Sequence, residues 1–270
     1  MKKIGLILVA AIVFISCEKA KDRQNMIENS NVPLISKVII GNETYMEYTY
    51  NEANLPVEEK SKFHYTRHFY NDINQITESD FYWDISIASS NSAVLQAAIN
   101  RTEWVNPQNT PKGISHEYIY GTNGLLKQKA LIRPSDNTPE FNSFTYENGR
   151  ISRQTMFWNN GSMGFIDYTY DDKGNLIKEL RYDSQAEGSV SLSTTTEYEY
   201  DNMLNPYIVF NRLLTPGIYT NANNITKVTY TLNFDVDPFT QKVQVITNSY
   251  EYNDRGYPVK INGSTEYRYK

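Results

Sequence analysis

A short motif returns along most of the chain and limits the folds open to it more than any other feature. It consists of an aromatic residue, any residue and a tyrosine, then a stretch rich in Asp, Asn and Gly, then an aliphatic segment. A repeat with a period of 20–50 residues is typical of an array of supersecondary units. The clearest copy runs Tyr168-Thr-Tyr170-Asp-Asp-Lys-Gly174-Asn-Leu176. The other copies are centred on Tyr48-Thr-Tyr50, Phe69-Tyr70, Tyr118-Ile-Tyr120, Phe144-Thr-Tyr146, Tyr198-Glu-Tyr200, Tyr250-Glu-Tyr252 and Tyr267-Arg-Tyr269.

Each copy has the chemistry of a β-hairpin. Asp and Asn side chains bond to their own backbone, and Gly supplies a positive φ, so the polar stretch predicts a tight turn. The flanking segments alternate with a period of two, as in Val228, Tyr230 and Leu232 against the intervening polar residues. One hairpin is only marginally stable in water, so each unit needs its neighbours.

The repeats together predict an all-β fold. Residues 33–270 are expected to form a single domain of about 14–16 antiparallel strands in a meander, because hairpins follow one another directly. Sheets of more than about 10 strands curl or split, which predicts a large curved sheet or a barrel-like structure. The 22 tyrosines among 270 residues agree with this, since aromatic residues favour strands.

One insertion, at about residues 84–114, interrupts the repeats. Ser89, Ser90, Asn91 and Ser92 are suited to cap one short helix over Ala93–Ile99. A wide curved sheet cannot fill its interior with its own side chains. We therefore expect the insertion to pack inside the sheet or across one of its mouths.

The N-terminus has the pattern of an export signal. Lys2 and Lys3 precede an apolar run that is too short to span a bilayer as a helix, so residues 1–16 are predicted to be a signal peptide. The run ends at Cys17, the one cysteine in the sequence, and resembles a bacterial lipobox. An ordinary secretory signal with an incidental cysteine is the alternative. The lipobox resemblance implies lipidation of Cys17, a flexible tether over residues 17–32 and a membrane partner through the lipid, on the periplasmic or the surface side of the outer membrane.

The motif also resembles a known repeat. Its Tyr-x-Tyr-Asp-x-x-Gly-x-Leu core is similar to the tyrosine–aspartate (YD) repeats of Rhs-type and teneurin-type shells. With the lipobox and the Asn205-Pro206-Tyr207 variant, residues 35–270 resemble a group of Bacteroidota lipoproteins of unknown function with a porin-like β-fold. The resemblance implies that fold and no catalytic residues. Rhs shells enclose a toxin, but this chain is too short for that role.

No group of residues has the spacing of an active site. His64 and His68 lie on a strand-like segment, where four residues span about 13 Å, so we expect solvated histidines and no metal. Asp171, Asp172 and Asp201 are explained as turn residues. No cofactor-binding motif is present, so no cofactor is expected. The formal charge of −5 argues against nucleic acid as a partner.

Tryptophans remain as candidate binding residues. Trp104 lies in the insertion and Trp158 beside a predicted turn, where an exposed ring can stack on a sugar or a protein partner. Trp83 shares a strand face with Phe81 and Ile85, which predicts a core position.

The sequence therefore favours a lipid-anchored envelope protein of the outer membrane. It is expected to be a non-enzymatic binding or structural module whose ligand is a glycan, a peptide or a partner protein. An integral outer-membrane β-barrel is one alternative, opposed by charges within the strands such as Arg153, Glu179 and Arg181. A surface polysaccharide hydrolase is the other, opposed by the lack of a catalytic arrangement.

Overall fold

The structure is a computed structural model that describes residues 32–83, 93, 102–134, 136–185, 188–214, 216–235 and 240–270. The predicted signal peptide, Cys17 and nearly all of the predicted tether lie outside the described residues. So does the helix predicted at Ala93–Ile99, apart from Ala93 itself, which is helical. Within the described ranges, no helix is long and apolar enough to cross a membrane.

The described residues contain seventeen strands, all in one sheet with antiparallel neighbours. The prediction of an all-β antiparallel meander is confirmed. The strands are β1 (Ile35–Ile40), β2 (Glu43–Tyr50), β3 (Pro56–Ser61), β4 (His64–Tyr70), β5 (Ile76–Trp83), β6 (Lys112–Tyr120), β7 (Leu126–Arg133), β8 (Asp136–Glu147), β9 (Arg150–Trp158), β10 (Gly161–Tyr170), β11 (Leu176–Ser184), β12 (Val190–Leu204), β13 (Asn223–Leu232), β14 (Val243–Thr247), β15 (Tyr250–Tyr252), β16 (Pro258–Ile261) and β17 (Thr265–Tyr269).

The sheet turns back on itself because β1 pairs with both β2 and β17. From β1, each strand pairs with the next as far as β14, and on the other side β17 pairs with β16 and β16 with β15. Among the described strands, β14 forms a ladder with β13 and β15 forms one with β16, but none joins β14 to β15, so the sheet is not closed there. Two residues link them: Asn248 donates to the Thr226 carbonyl, and the Ser249 carbonyl accepts from Asn262. This division of one segment into β14 and β15 raises the strand number above the predicted 14–16.

The predicted turn chemistry is present in successive hairpins. The Asn51 side chain accepts hydrogen bonds from the backbone N–H groups of Ala53 and Leu55, and Asn253 does the same for Arg255 and Tyr257. The fourth turn position has a positive φ, as a tight turn of this kind requires. The residues there are Asn54, Asn74, Gly124, Gly174 and Gly256.

The motif tyrosines link strands through hydrogen bonds from their hydroxyl groups. In the described part of the chain, eight of them donate a hydroxyl hydrogen bond of 2.5–2.9 Å to a backbone carbonyl at or near the start of an adjacent strand. All eight carbonyls lie at one end of the sheet, which we call the tyrosine rim. The donor–acceptor pairs are Tyr50–Ile35, Tyr70–Pro56, Tyr120–Ile76, Tyr146–Leu126, Tyr170–Ile151, Tyr200–Leu176, Tyr250–Ile225 and Tyr269–Pro258.

A 3₁₀ helix, Pro206–Leu213, packs against one face of the sheet at the tyrosine rim. Asn205 caps it by accepting from the Tyr207 N–H, and Pro206 occupies its first turn, where a missing N–H costs nothing. Phe210 is fully buried and packs against the rings of Tyr48 and Tyr50. We call the sheet face that contacts this helix the inner face. The sequence pattern did not predict this helix.

The insertion contacts the opposite end of the sheet, which we call the far end. Val105 is buried, and its N–H donates to the carbonyl of Ser61, the last residue of β3. Strand β3 begins at Pro56 on the tyrosine rim, so Ser61 marks the far end. The rest of the packing expected for the insertion falls on residues outside the described ranges.

Candidate functional site

The inner face carries polar side chains next to the buried aromatic core. Tyr118 belongs to the core cluster that includes Phe210, which places it on the inner face. Strand alternation then puts His116 on the same face. The ladders set Ser79 opposite His116 and Lys129 opposite Tyr118, so both also lie on this face.

A hydrogen-bonded series crosses four strands of this face. Glu59 Oε1 lies 3.1 Å from His68 Nε2, and His68 Nδ1 lies 2.8 Å from Ser79 Oγ. Ser79 Oγ is in turn 3.3 Å from the Tyr118 hydroxyl. Burial raises the pKa of Tyr118 to about 12, so its hydroxyl stays protonated near neutral pH. The series satisfies four polar groups that the fold buries or half-buries.

The series has the residue types of an acyl-transfer triad but lacks access to the hydroxyl. Ser79 has no exposed surface, and the side chain of His68 is 3% exposed. A nucleophile has to reach the carbon that it attacks, and Ser79 Oγ is covered by its own partners. The arrangement therefore fits a structural network that orients His68 and Glu59.

Beside this network lie two groups with unused hydrogen-bonding capacity. His116 Nδ1 is buried and has no partner, while its ring meets the edge of the Phe81 ring at 5.0 Å between centroids. Burial, with smaller contributions from Lys129 and His68, lowers the pKa of His116 to about 3. Lys129 Nζ lies 5.3 Å from the centre of the Tyr118 ring, and burial lowers its pKa to about 8. At neutral pH the pair is thus a neutral imidazole and an ammonium ion.

At the far end of the inner face, one aromatic and two charged side chains lie together. Trp158 ends β9 with 41% of its surface exposed, and the Arg133 guanidinium lies 5.5 Å from its ring centre. Arg133 also forms an ion pair with Glu140, which stands opposite Trp158 in the β8–β9 ladder. A partly exposed indole next to a guanidinium offers both a flat surface and fixed N–H donors to a ligand.

Hydroxyl and amide groups continue along the neighbouring strands. The Tyr168 hydroxyl donates to Gln154, and the Tyr198 hydroxyl donates to Glu179 at 2.8 Å. Burial raises the pKa of Glu179, against the lowering effect of its bond from Tyr198. These strands therefore extend a polar surface beyond Lys129 and Trp158.

The structure places the two predicted tryptophans at the same end of the sheet but in different surroundings. Trp104 is half-buried in the loop at residues 102–110, where it lines an open cavity of about 480 Å³ together with Val105 and Asn109. Trp158 lies on the inner face and contacts Arg133. Cys17, the predicted lipidation site, lies outside the described residues.

Two expectations about single residues were wrong. His68 is buried rather than solvated, because it bonds to Ser79 and Glu59 on a covered face. Trp83 is 36% exposed rather than in the core, because β5 ends there and its ring lies over the small residue Gly113. Among the described residues, no group of three or more His, Cys, Asp or Glu is placed to hold a metal ion.

Sequence reasoning missed Glu59, Ser79, His116 and Lys129. Their strands alternate, but the two faces of a strand look alike when both carry polar residues, so the pattern did not show which face is inner. One usable signal was present: His116 lies two residues before Tyr118 and thus on the face of a motif tyrosine.

Comparison with known proteins adds a likeness of fold. No family model matches the chain, and no curated protein matches its sequence. A porin-like protein from Bacteroides uniformis ATCC 8492 is similar in structure, with TM-score 0.41 and 10% identity over 87% of this chain and 98% of that one. A porin-like protein from Bacteroides vulgatus ATCC 8482 has a TM-score of 0.39 and 14% identity, and the match covers 88% of this chain and 99% of that one. The TcdB2-TccC3 structure has a TM-score of 0.31 and 15% identity, and the match covers 78% of this chain and 10% of that one. At this level the likeness assigns no function to the chain.

Proposed function

We propose that the protein is a lipid-anchored component of a bacterial outer membrane that binds a glycan or a protein on the inner face of its sheet, and that it is not an enzyme. The observation that carries the binding role is the set of partly exposed or unpartnered groups on one face. Trp158 and Lys129 belong to this set. A buried charge without a partner destabilises the fold, and an exposed aromatic ring often marks a binding surface. A ligand that contacts both groups would explain why they lie on this face.

The non-enzymatic part of the proposal is supported by the geometry of the polar network. The histidine that neighbours a serine and a carboxylate is bonded to both of them, and the serine hydroxyl has no exposed surface. Carboxylates elsewhere on the inner face are engaged as well, Glu140 by Arg133 and Glu179 by Tyr198. Hydrolysis would need a carboxylate or nucleophile left open to a substrate.

The binding proposal is tested with protein that lacks residues 1–17. We expect it to bind at least one ligand in a glycan array or a pull-down from envelope extracts, and to purify without detergent. The Trp158→Ala variant should weaken that binding by about tenfold, since an aromatic anchor is worth roughly 1.5 kcal/mol or more. Phe69→Ala is the matched control, because Phe69 is 39% exposed but lies on the other face of β4. Equal losses in both variants, or a requirement for detergent, would contradict the proposal.

The anchor is tested separately in cells that carry the full chain. Cys17→Ser should abolish incorporation of a labelled fatty acid and release the protein from the membrane fraction. Labelling that persists in the variant would show that Cys17 is not the acceptor.

A further inference from the structure

Lys129 is an inner-face cation for which the described part of the chain supplies no ion-pair partner. Ion pairs in the described residues engage Arg133 with Glu140 and His68 with Glu59, and none of them includes Lys129. Its ammonium group lies against the face of Tyr118, and burial alone accounts for its shifted titration. A desolvated ammonium without a counter-charge destabilises the fold.

His116 supplies a second unused group on the adjacent strand. Its Nδ1 is enclosed without a hydrogen-bond partner. The β6–β7 ladder sets Lys129 opposite Tyr118 and Leu131 opposite His116, so Lys129 and His116 are diagonal neighbours on the inner face. Because Nδ1 is enclosed, His116 is a polar neighbour of the Lys129 ammonium but does not itself reach a ligand.

The groups that face Lys129 make it a site for an anion. On the β3 and β4 side, the inner-face carboxylate of Glu59 is held by His68. On the β8 side, Glu140 is held by Arg133. An incoming carboxylate therefore meets the Lys129 ammonium without displacing an existing ion pair.

We propose that Lys129 binds a carboxylate group of an acidic oligosaccharide. This inference rests on the proposed function and names the ligand class of the same face. A sugar chain fits the surroundings, since Gln154 and Tyr168 offer hydroxyl and amide partners and Trp158 offers a flat ring. Four residues along β7 separate Lys129 from Arg133, or about 13 Å, so a chain of several sugars can reach both.

The test uses the full chain purified in detergent and titrated calorimetrically with oligogalacturonate. We expect saturable binding that weakens as salt is raised. The fully methyl-esterified oligomer, which keeps the sugar rings but has no charge, should bind about tenfold or more weakly. Equal binding of the acid and its ester, or no binding of the acid, would overturn the inference.

Variants locate the site. Lys129→Met should weaken binding of the acid by about tenfold or more and leave binding of the ester unchanged. Lys127→Met is the matched control, because Lys127 is exposed and two residues away on the same strand. Lys129→Met is expected to fold at least as stably as the parent protein, since it removes a desolvated charge, and a thermal melt checks this. Equal losses in the two variants would overturn the inference.

The two proposals fail separately. If the array or the pull-down finds a neutral ligand whose binding depends on Trp158 but not on Lys129, the inference about an acidic sugar is wrong and the binding role stands. If neither Trp158→Ala nor Lys129→Met changes the binding of any ligand found, both are wrong.

Discussion

At the scale of single residues, the tyrosine hydroxyl explains why the motif needs tyrosine and not any aromatic residue. The ring fills space beside the core while the hydroxyl satisfies a carbonyl at the start of the neighbouring strand, as with Tyr170 and Ile151. Ile151 is buried, so that carbonyl has little access to water. Burial raises the pKa of Tyr170, which keeps its hydroxyl a donor throughout the physiological range.

Replacing Tyr170 with Phe tests this role. We expect the free energy of unfolding to fall by about 0.5–1.5 kcal/mol, because the Ile151 carbonyl loses its partner while the ring remains. Tyr182→Phe is the matched control: its ring stacks on Phe165 at 4.7 Å, and its hydroxyl makes no hydrogen bond within the described residues. Urea unfolding of both variants provides the measurement. A loss in Tyr182→Phe as large as in Tyr170→Phe would refute the role.

The sequence predicted the position of each motif tyrosine but not the partner of its hydroxyl. The turn residues act locally, so Asn51 and Asn253 could be assigned from their spacing alone. The hydroxyl of Tyr250 bonds to Ile225, 25 residues away, whereas Tyr252 in the same motif copy bonds to Asp201. That difference depends on strand register, which the motif does not encode.

At the scale of elements, the 3₁₀ helix Pro206–Leu213 supplies the apolar contacts that the tyrosine rim needs. Phe210 contacts Tyr48 and Tyr50 on β2 and stacks on Tyr219 at 5.4 Å. Sequence analysis expected an insertion to fill the interior and chose residues 84–114. The helix was missed because eight residues are too few for a helical period and its partners are distant motif tyrosines.

Phe210→Ala measures how much this element stabilises the sheet. We expect a loss of about 3–5 kcal/mol in the free energy of unfolding, since the side chain is fully buried among aromatic rings. Ile218→Ala serves as the control from the same connection, because Ile218 is 46% exposed and should change stability by less than about 1 kcal/mol. If Phe210→Ala costs no more than Ile218→Ala, the helix is not part of the core.

At the scale of the whole molecule, β14 forms a ladder with β13 alone among the described strands, which leaves its other edge without a strand partner there. Leu232 donates to the Lys242 carbonyl and Asn248 to the Thr226 carbonyl, so the even-numbered residues of β14 face β13. In an antiparallel pair the alternate residues then direct their backbone groups to the other side. Val243 and Val245 are two of these, and both side chains are largely exposed. Such an edge pairs readily with another chain.

We therefore expect Val245→Lys to reduce self-association at high protein concentration and to leave stability within about 0.5 kcal/mol. Sedimentation velocity over a concentration series is the measurement. Ile119→Lys provides the comparison, because Ile119 is 45% exposed on β6, which is paired on both sides. If the lysine at position 119 reduces association equally, exposed apolar surface and not the open edge is responsible.

The pairing of β1 with β17 also brings both ends of the described chain to the same end of the sheet. The Lys270 N–H donates to the Leu34 carbonyl, and Ile35 accepts from Tyr50, so the described chain enters and leaves the sheet at the tyrosine rim. A lipid on Cys17 would attach to the membrane from this side. Plugged by Phe210, the rim would then face the bilayer, while Trp104 and Trp158 would project toward the aqueous compartment, where a soluble molecule first arrives.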